Sequence, residues 1–88
     1  MTNDIYSIFG NEVRVKLILC LSRGQKNVSE LIANCKLSQS AVSQHLSVLK
    51  AAGIVKALKD GKYVYYQLRH RKAADICRLI LEFTKESV

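Results

Sequence analysis

Gln39, Ser40, Ser43, Gln44 and Ser47 are spaced so that on a helix they share one face. The face is uncharged, short-chained and rich in hydrogen-bond donors and acceptors, where an ordinary solvated face carries Glu and Lys. Amides and hydroxyls so placed suit the base edges of a DNA major groove, where every base pair shows its own donor and acceptor pattern. The other reactive groups are Cys20, Cys35 and Cys77. They are widely spaced and odd in number, so they do not make a disulfide framework, and each reads first as a small buried hydrophobe. No Gly-rich phosphate loop, His-Glu-x-x-His or Cys-x-x-Cys is present. Ser47-Val48-Leu49-Lys50 matches a Ser-x-x-Lys nucleophile motif by chance, because its partner motifs are missing and the chain is too short. An enzyme is not expected, and neither catalytic residues nor a cofactor are assigned.

The Ser/Gln face needs a helix behind it, and the flanking residues supply one. Ser38 is a good N-cap, and Val42, Leu46 and Leu49 recur as an apolar stripe opposite the polar face. Gly53 is placed to end the helix in the left-handed conformation, with Ile54 covering that end. His45 flanks the stripe, a packing position. Ahead of this helix, Asn27-Val28-Ser29-Glu30 resembles a capping box for a short helix that stops near Asn34, with Cys35 and Lys36 in the turn. Two short helices joined by a tight turn make a helix-turn-helix, here over about 28–52.

Earlier still, Ile5, Ile8 and Phe9 mark a short first helix over about 4–9. Asn11 caps a second helix, whose run VRVKLILCL is apolar on nearly every side and belongs at the centre of the domain. Ser22 to Lys26 reads as a polar turn. Beyond Gly53 the period becomes alternating, and Ile54 to Lys59 and Lys62 to Leu68 read as two strands of a wing over about 54–68. Asp60-Gly61 as a two-residue turn pairs Ala57 with Val64 and Val55 with Tyr66, with all four on the buried face. Lys59 and Lys62 then flank the tip. A last helix over about 71–85 carries Ile76, Leu79, Ile80 and Phe83 as a stripe. Little remains in the domain for that stripe and the first helix to cover, so both are expected to pack against a second copy.

The 88 residues make one domain over 1–88, small enough that oligomerisation is a reasonable expectation. Fourteen Lys and Arg stand against seven acids, a formal charge of +7, which favours a polyanionic partner. No stretch approaches a membrane span and the N-terminus lacks a signal-peptide layout, so the reading is cytoplasmic, with thiols reduced by default.

With the order helix, helix, helix-turn-helix, wing, helix in place, the chain resembles the ArsR/SmtB family of small winged-helix repressors. The segments NEVRVKLILCL, VSELIANCKLSQSAVSQHLSVLKAAGIV and KDGKYVYYQL carry the resemblance. It implies a mainly α fold with a small β-hairpin, in the order α-α-α-α-β-β-α. It also implies a homodimer on double-stranded DNA, at imperfect inverted repeats in promoters, loosened by an inducer. The base-reading positions carry over to Gln39, Ser40, Ser43 and Gln44, with Ser38, Ser47, Lys36, Lys59 and Lys62 toward the backbone. The dimer interface carries over to Ile5, Ile8, Phe9, Ile76, Leu79, Ile80 and Phe83. Lys36 stands where the family often has Gly.

The metal-sensing patterns of the family, a Cys-Val-Cys pair in the third helix or paired Asp and His in the last, are not matched, and no metal site is expected. A thiol-sensing subgroup uses two cysteines, and Cys20 falls on the first of these positions. The second would lie at about Lys85, whereas Cys77 is roughly 12 Å earlier along the helix. The expectation carried forward is a redox pair of Cys20 and Cys77, with Cys35 in the core. The alternatives are a repressor without an inducer and a winged helix used for protein contacts.

Overall fold

The computed structural model of the chain describes residues 5–86; residue 4, the expected start of the first helix, lies outside the described residues. Helix α2 (Glu12–Leu21) runs through the centre, as its nearly all-round apolar sequence requires, with Val15, Leu17, Ile18 and Leu21 buried. The Asn11 side chain caps it by accepting from the backbone N–H of Val13 at 2.9 Å and of Arg14 at 3.1 Å. The five-residue α1 (Ile5–Phe9) lies against α2, and the Arg14 guanidinium donates to the Ser7 carbonyl at 2.9 Å to hold the two together.

Helices α3 (Val28–Cys35) and α4 (Gln39–Ala51) form the helix-turn-helix. The capping box on α3 is complete, with the Glu30 N–H on Asn27 Oδ1 at 2.8 Å and the Asn27 N–H on Glu30 Oε1 at 2.9 Å. Helix α4 ends in a Schellman motif. The Gly53 N–H reaches the Lys50 carbonyl and the Ile54 N–H reaches the Leu49 carbonyl, both at 3.0 Å, while Gly53 sits at φ +79°. Ile54 is buried over that end.

Strands β2 (Val55–Asp60) and β3 (Tyr63–Leu68) make the wing, and α5 (Arg71–Glu86) closes the chain. Two features differ from the sequence reading. The expected pairs of Ala57 with Val64 and Val55 with Tyr66 are replaced by Ala57–Tyr66, Val55–Leu68 and Lys59–Val64. Asp60 pairs with Tyr63, so Gly61 and Lys62 are the central turn residues and Lys62 does not begin the strand. Gly61 at φ +64° explains the shift, since a two-residue hairpin loop of the II′ kind wants Gly at its first central position. Val55 is buried and Ala57 and Tyr66 are half-buried, but Val64, out toward the tip, is exposed.

Lys26 belongs to a third strand rather than to a polar turn. Strand β1 (Lys26–Asn27) pairs antiparallel with Tyr66 and Tyr65, giving the sheet order β1-β3-β2. Two residues carry no readable alternation, and the open edge of β3 is what makes them a strand.

Candidate nucleic-acid interface

The turn between α3 and α4 sets the aim of the polar face of α4. Lys36 takes the left-handed conformation, φ 57° and ψ 45°, where its N–H still reaches the Ile32 carbonyl at 2.9 Å. Leu37 packs on the core, and the Ser38 hydroxyl accepts from the Ala41 N–H at 3.1 Å to start α4. Val42, Leu46 and Leu49 are buried, which fixes the rotation of the helix about its axis. Gln39, Ser40, Ser43, Gln44 and Ser47 are therefore all exposed together on the opposite side. Lys36 is exposed near the start of this face, and Lys50, which sequence reasoning passed over, is exposed one turn beyond Ser47.

The wing brings Lys59 and Lys62 to its tip, both exposed. The Lys62 ammonium lies 5.8 Å from the centre of the Tyr63 ring, and Tyr63 is 52% exposed. A small cleft joins the wing to the N-terminus of α3, lined by Asn27, Val28, Ser29, Lys62, Tyr63 and Val64. Ser29 and Tyr63 were not singled out from sequence, although Tyr63 sits directly beyond the turn. From Leu31 to Lys59 the chain has no carboxylate and four lysines, so the sequence around α4 is cationic, with the exposed Glu30 and Asp60 just beyond its two ends. Phosphate contacts from such groups give affinity and register, and a polar face between them supplies sequence discrimination.

His45 is half-buried beside Arg14. Burial first, and the neighbouring guanidinium second, lower its pKa below the ordinary 6.5. Its Nδ1 and the Arg14 Nε are both buried without a protein partner. His45 thus belongs to the seam between α2 and α4 rather than to the polar face of α4.

The redox pair expected at Cys20 and Cys77 is not the one formed. Cys20 is bonded through its sulfur to Cys35, 15 residues on, with Cα atoms 7.0 Å apart. Cys77 faces the core with Ala73 and Ala74 and is fully buried, and burial pushes its thiol up to about 11. The physical reason is helix packing. Cys20 lies late in α2 and Cys35 ends α3, and these two helices touch directly, whereas the core-facing side of α5 keeps Cys77 under cover. Cys35 was the residue read as plain core.

The expected dimer residues also divide. Ile8 is completely buried, because the short α1 turns it inward onto α2, so it belongs to the core of its own protomer. Phe9 and Ile80 are half-buried. Ile5, Ile76, Leu79 and Phe83 are 49%, 42%, 64% and 71% exposed, an apolar surface uncovered in a single chain. Among the described residues, no group of three His, Cys, Asp or Glu side chains converges as a metal site would require, and no helix is long and apolar enough to cross a membrane.

Comparison with known proteins bears on the whole arrangement. The profile described as "Bacterial regulatory protein, arsR family" matches residues 11–57. The chain is 34% identical over 80 residues to an uncharacterized HTH-type transcriptional regulator of Methanocaldococcus jannaschii, covering 90% of each. It is 41% identical over 64 residues to the HTH-type transcriptional repressor SmtB of Mycobacterium tuberculosis, which is 73% of this chain and 47% of that protein. The chain thus spans about half the length of that repressor. The crystal structure of the transcriptional repressor BigR from Xylella fastidiosa superposes with a TM-score of 0.80 at 29% identity, covering 89% of this chain and 80% of that one. The chain belongs to the arsR family of bacterial regulatory proteins, and it is a DNA-binding regulator of transcription built on a winged helix-turn-helix.

Proposed function

We propose that the chain is a cytoplasmic transcriptional repressor that binds an imperfect inverted-repeat operator as a homodimer. The observation that carries this is the exposed Ser/Gln face of α4, flanked by the exposed Lys36 and Lys50 within a stretch, Leu31 to Lys59, that has no carboxylate. Residues 1–88 act as one winged helix-turn-helix unit. Gln39, Ser40, Ser43 and Gln44 read base edges. Ser47, Lys36, Lys59 and Lys62 hold the backbone, and Ser38 does so while capping α4. Two-fold symmetry places two such helices in successive major grooves, about 34 Å apart. The apolar surface of α5, with Ile5, supplies the contact between copies.

The signal falls on the Cys20–Cys35 pair. A two-electron oxidant such as a peroxide takes two electrons and two protons from the two thiols as the sulfur–sulfur bond forms. Cys35 is the residue before Lys36, so the bond fastens the helix-turn-helix to α2 immediately ahead of the turn that aims α4. Operator affinity therefore differs between the thiol and disulfide states.

Fluorescence anisotropy on the chain's own promoter duplex against a scrambled duplex tests both parts. A preference of a hundredfold or more, changed by peroxide and restored by dithiothreitol, supports them. Equal binding to both duplexes overturns the sequence-specific reading. No binding at low salt makes the chain a protein-interaction module.

A further inference from the structure

A cleft of about 620 Å³ lies on another side of the molecule, between the α2–β1 turn, the end of β3 and the first turns of α5. Three arginines, Arg69, Arg71 and Arg78, line it together with Gln25 and Gln67. Among the described residues, the one carboxylate held at these arginines is Asp75, which accepts from Arg78 at 2.9 Å. Arg69 and Arg71 are exposed, and among the described residues no ion pair involves them. A floor of Leu21, Leu68 and Ala74 backs the cleft.

The cations here are not explained by the DNA-reading surface. The Arg69 N–H donates to the Ile54 carbonyl at 2.9 Å, which pins Arg69 beside the C-terminal end of α4, away from Gln39 and Ser40. The wing tip lies five residue pairs away along β3, about 17 Å at strand spacing. Like charges gathered in a concave site repel one another unless an anion joins them. Planar guanidinium forks match carboxylate and phosphate oxygens in pairs.

We propose that this cleft binds a small multivalent oxyanion, in the chemical class of phosphorylated or polycarboxylate metabolites. Arg69 and Arg71 are its main partners, Arg78 a third shared with Asp75, and Gln25 and Gln67 orient it through neutral hydrogen bonds. The occupant touches β3, the central strand of the wing sheet, and α5 together. It is therefore placed to act as an effector of the regulator.

The test is thermal unfolding of the full chain with pyrophosphate or citrate, each against sodium chloride at matched ionic strength. The expected result is a saturable rise in Tm with at least one of the two. The more responsive anion identifies the phosphate or the carboxylate branch. In an Arg69→Gln/Arg71→Gln double variant, the apparent Kd rises at least tenfold, with circular dichroism reporting an unchanged fold. Arg78→Gln, which frees Asp75, weakens binding as a second variant. A rise no larger than that from sodium chloride overturns the proposal, as does a rise that survives the double variant. If the double variant instead loses operator affinity without added anion, and the salt dependence falls with it, the arginines are DNA-backbone contacts and the proposal fails.

Discussion

Cys20, one residue before the end of α2, is bonded through sulfur to Cys35, the last residue of α3. The bond closes a 15-residue loop around the α2–β1–α3 connection. Closing a loop of that length restricts the unfolded chain by about 3 kcal/mol. Reduction is therefore expected to lower the stability by that order, seen as a lower urea midpoint in dithiothreitol. Cys35→Ser should make the midpoint indifferent to reductant. A thiol count adds a second check. Under denaturing conditions the oxidised chain should show one reactive thiol, Cys77, and the reduced chain three. In the native oxidised chain Cys77 should resist alkylation, being buried and pushed up to about 11.

What was legible beforehand follows from how local each determinant is. The α3 and α4 caps, the α4 stripe and the Gly53 ending are written within five residues of where they act, and they stand as read. The side-chain order on α4 follows from them, which is why its polar face was visible from the sequence. The wing register was missed because it depends on whether Gly61 takes the first or the second central turn position, and Asp-Gly sequences permit both. The partner of Cys20 was missed because it is set by the packing of α2 on α3, a tertiary property. Likewise Ile8 looks the same as Ile5 in a list of apolar residues, and the fold alone sends one inward and leaves the other out.

Lys36 holds a left-handed backbone that glycine adopts freely. The strain for a side chain there is about 1 kcal/mol or slightly more. Lys36→Gly relieves it, while the greater freedom of glycine in the unfolded chain returns about 0.4–1 kcal/mol. The expected outcome is a stability equal to the parent or up to about 1 kcal/mol higher by denaturant titration. The same substitution removes a cation beside the reading helix. If Lys36 neutralises a phosphate, the slope of log K against log[salt] should become shallower by about 1. Lys36→Asn, which also tolerates the left-handed region, should reproduce the lost slope.

Arg14 and His45 share the α2–α4 seam, each with a buried nitrogen that lacks a protein partner. Because the pKa of His45 is lowered by folding, the unfolded chain binds its proton more readily than the native one. The contribution is present in full above pH 6.5 and is lost as pH falls from 6.5 toward the lower native value. Denaturant midpoints should therefore drop between pH 7.5 and about 5.5, a window above the ordinary carboxylate range. In His45→Gln the drop should flatten. An equally steep decline in that variant would assign the effect to other groups.

The apolar surface on α5 makes the last prediction quantitative. Ile76, Leu79 and Phe83 lie at i, i+3 and i+7, on the side of the helix away from buried Ala73, Ala74 and Cys77. Phe83 is 71% exposed, so Phe83→Asp should leave most of the helical signal in place. In the proposed dimer the same ring would be covered, and fully burying a side chain of this size is worth about 1.5–3 kcal/mol, so two copies of the change would act on one interface. Sedimentation should then show the variant at half the parent's mass. Operator binding should weaken together with dimerisation, because linked half-site contacts exceed single ones by about 10²–10⁴-fold. A parent that sediments as a monomer would overturn the dimer, and a variant that remains dimeric would move the contact between copies away from Phe83. A monomeric variant that held its operator affinity would show that one reading helix and one wing suffice.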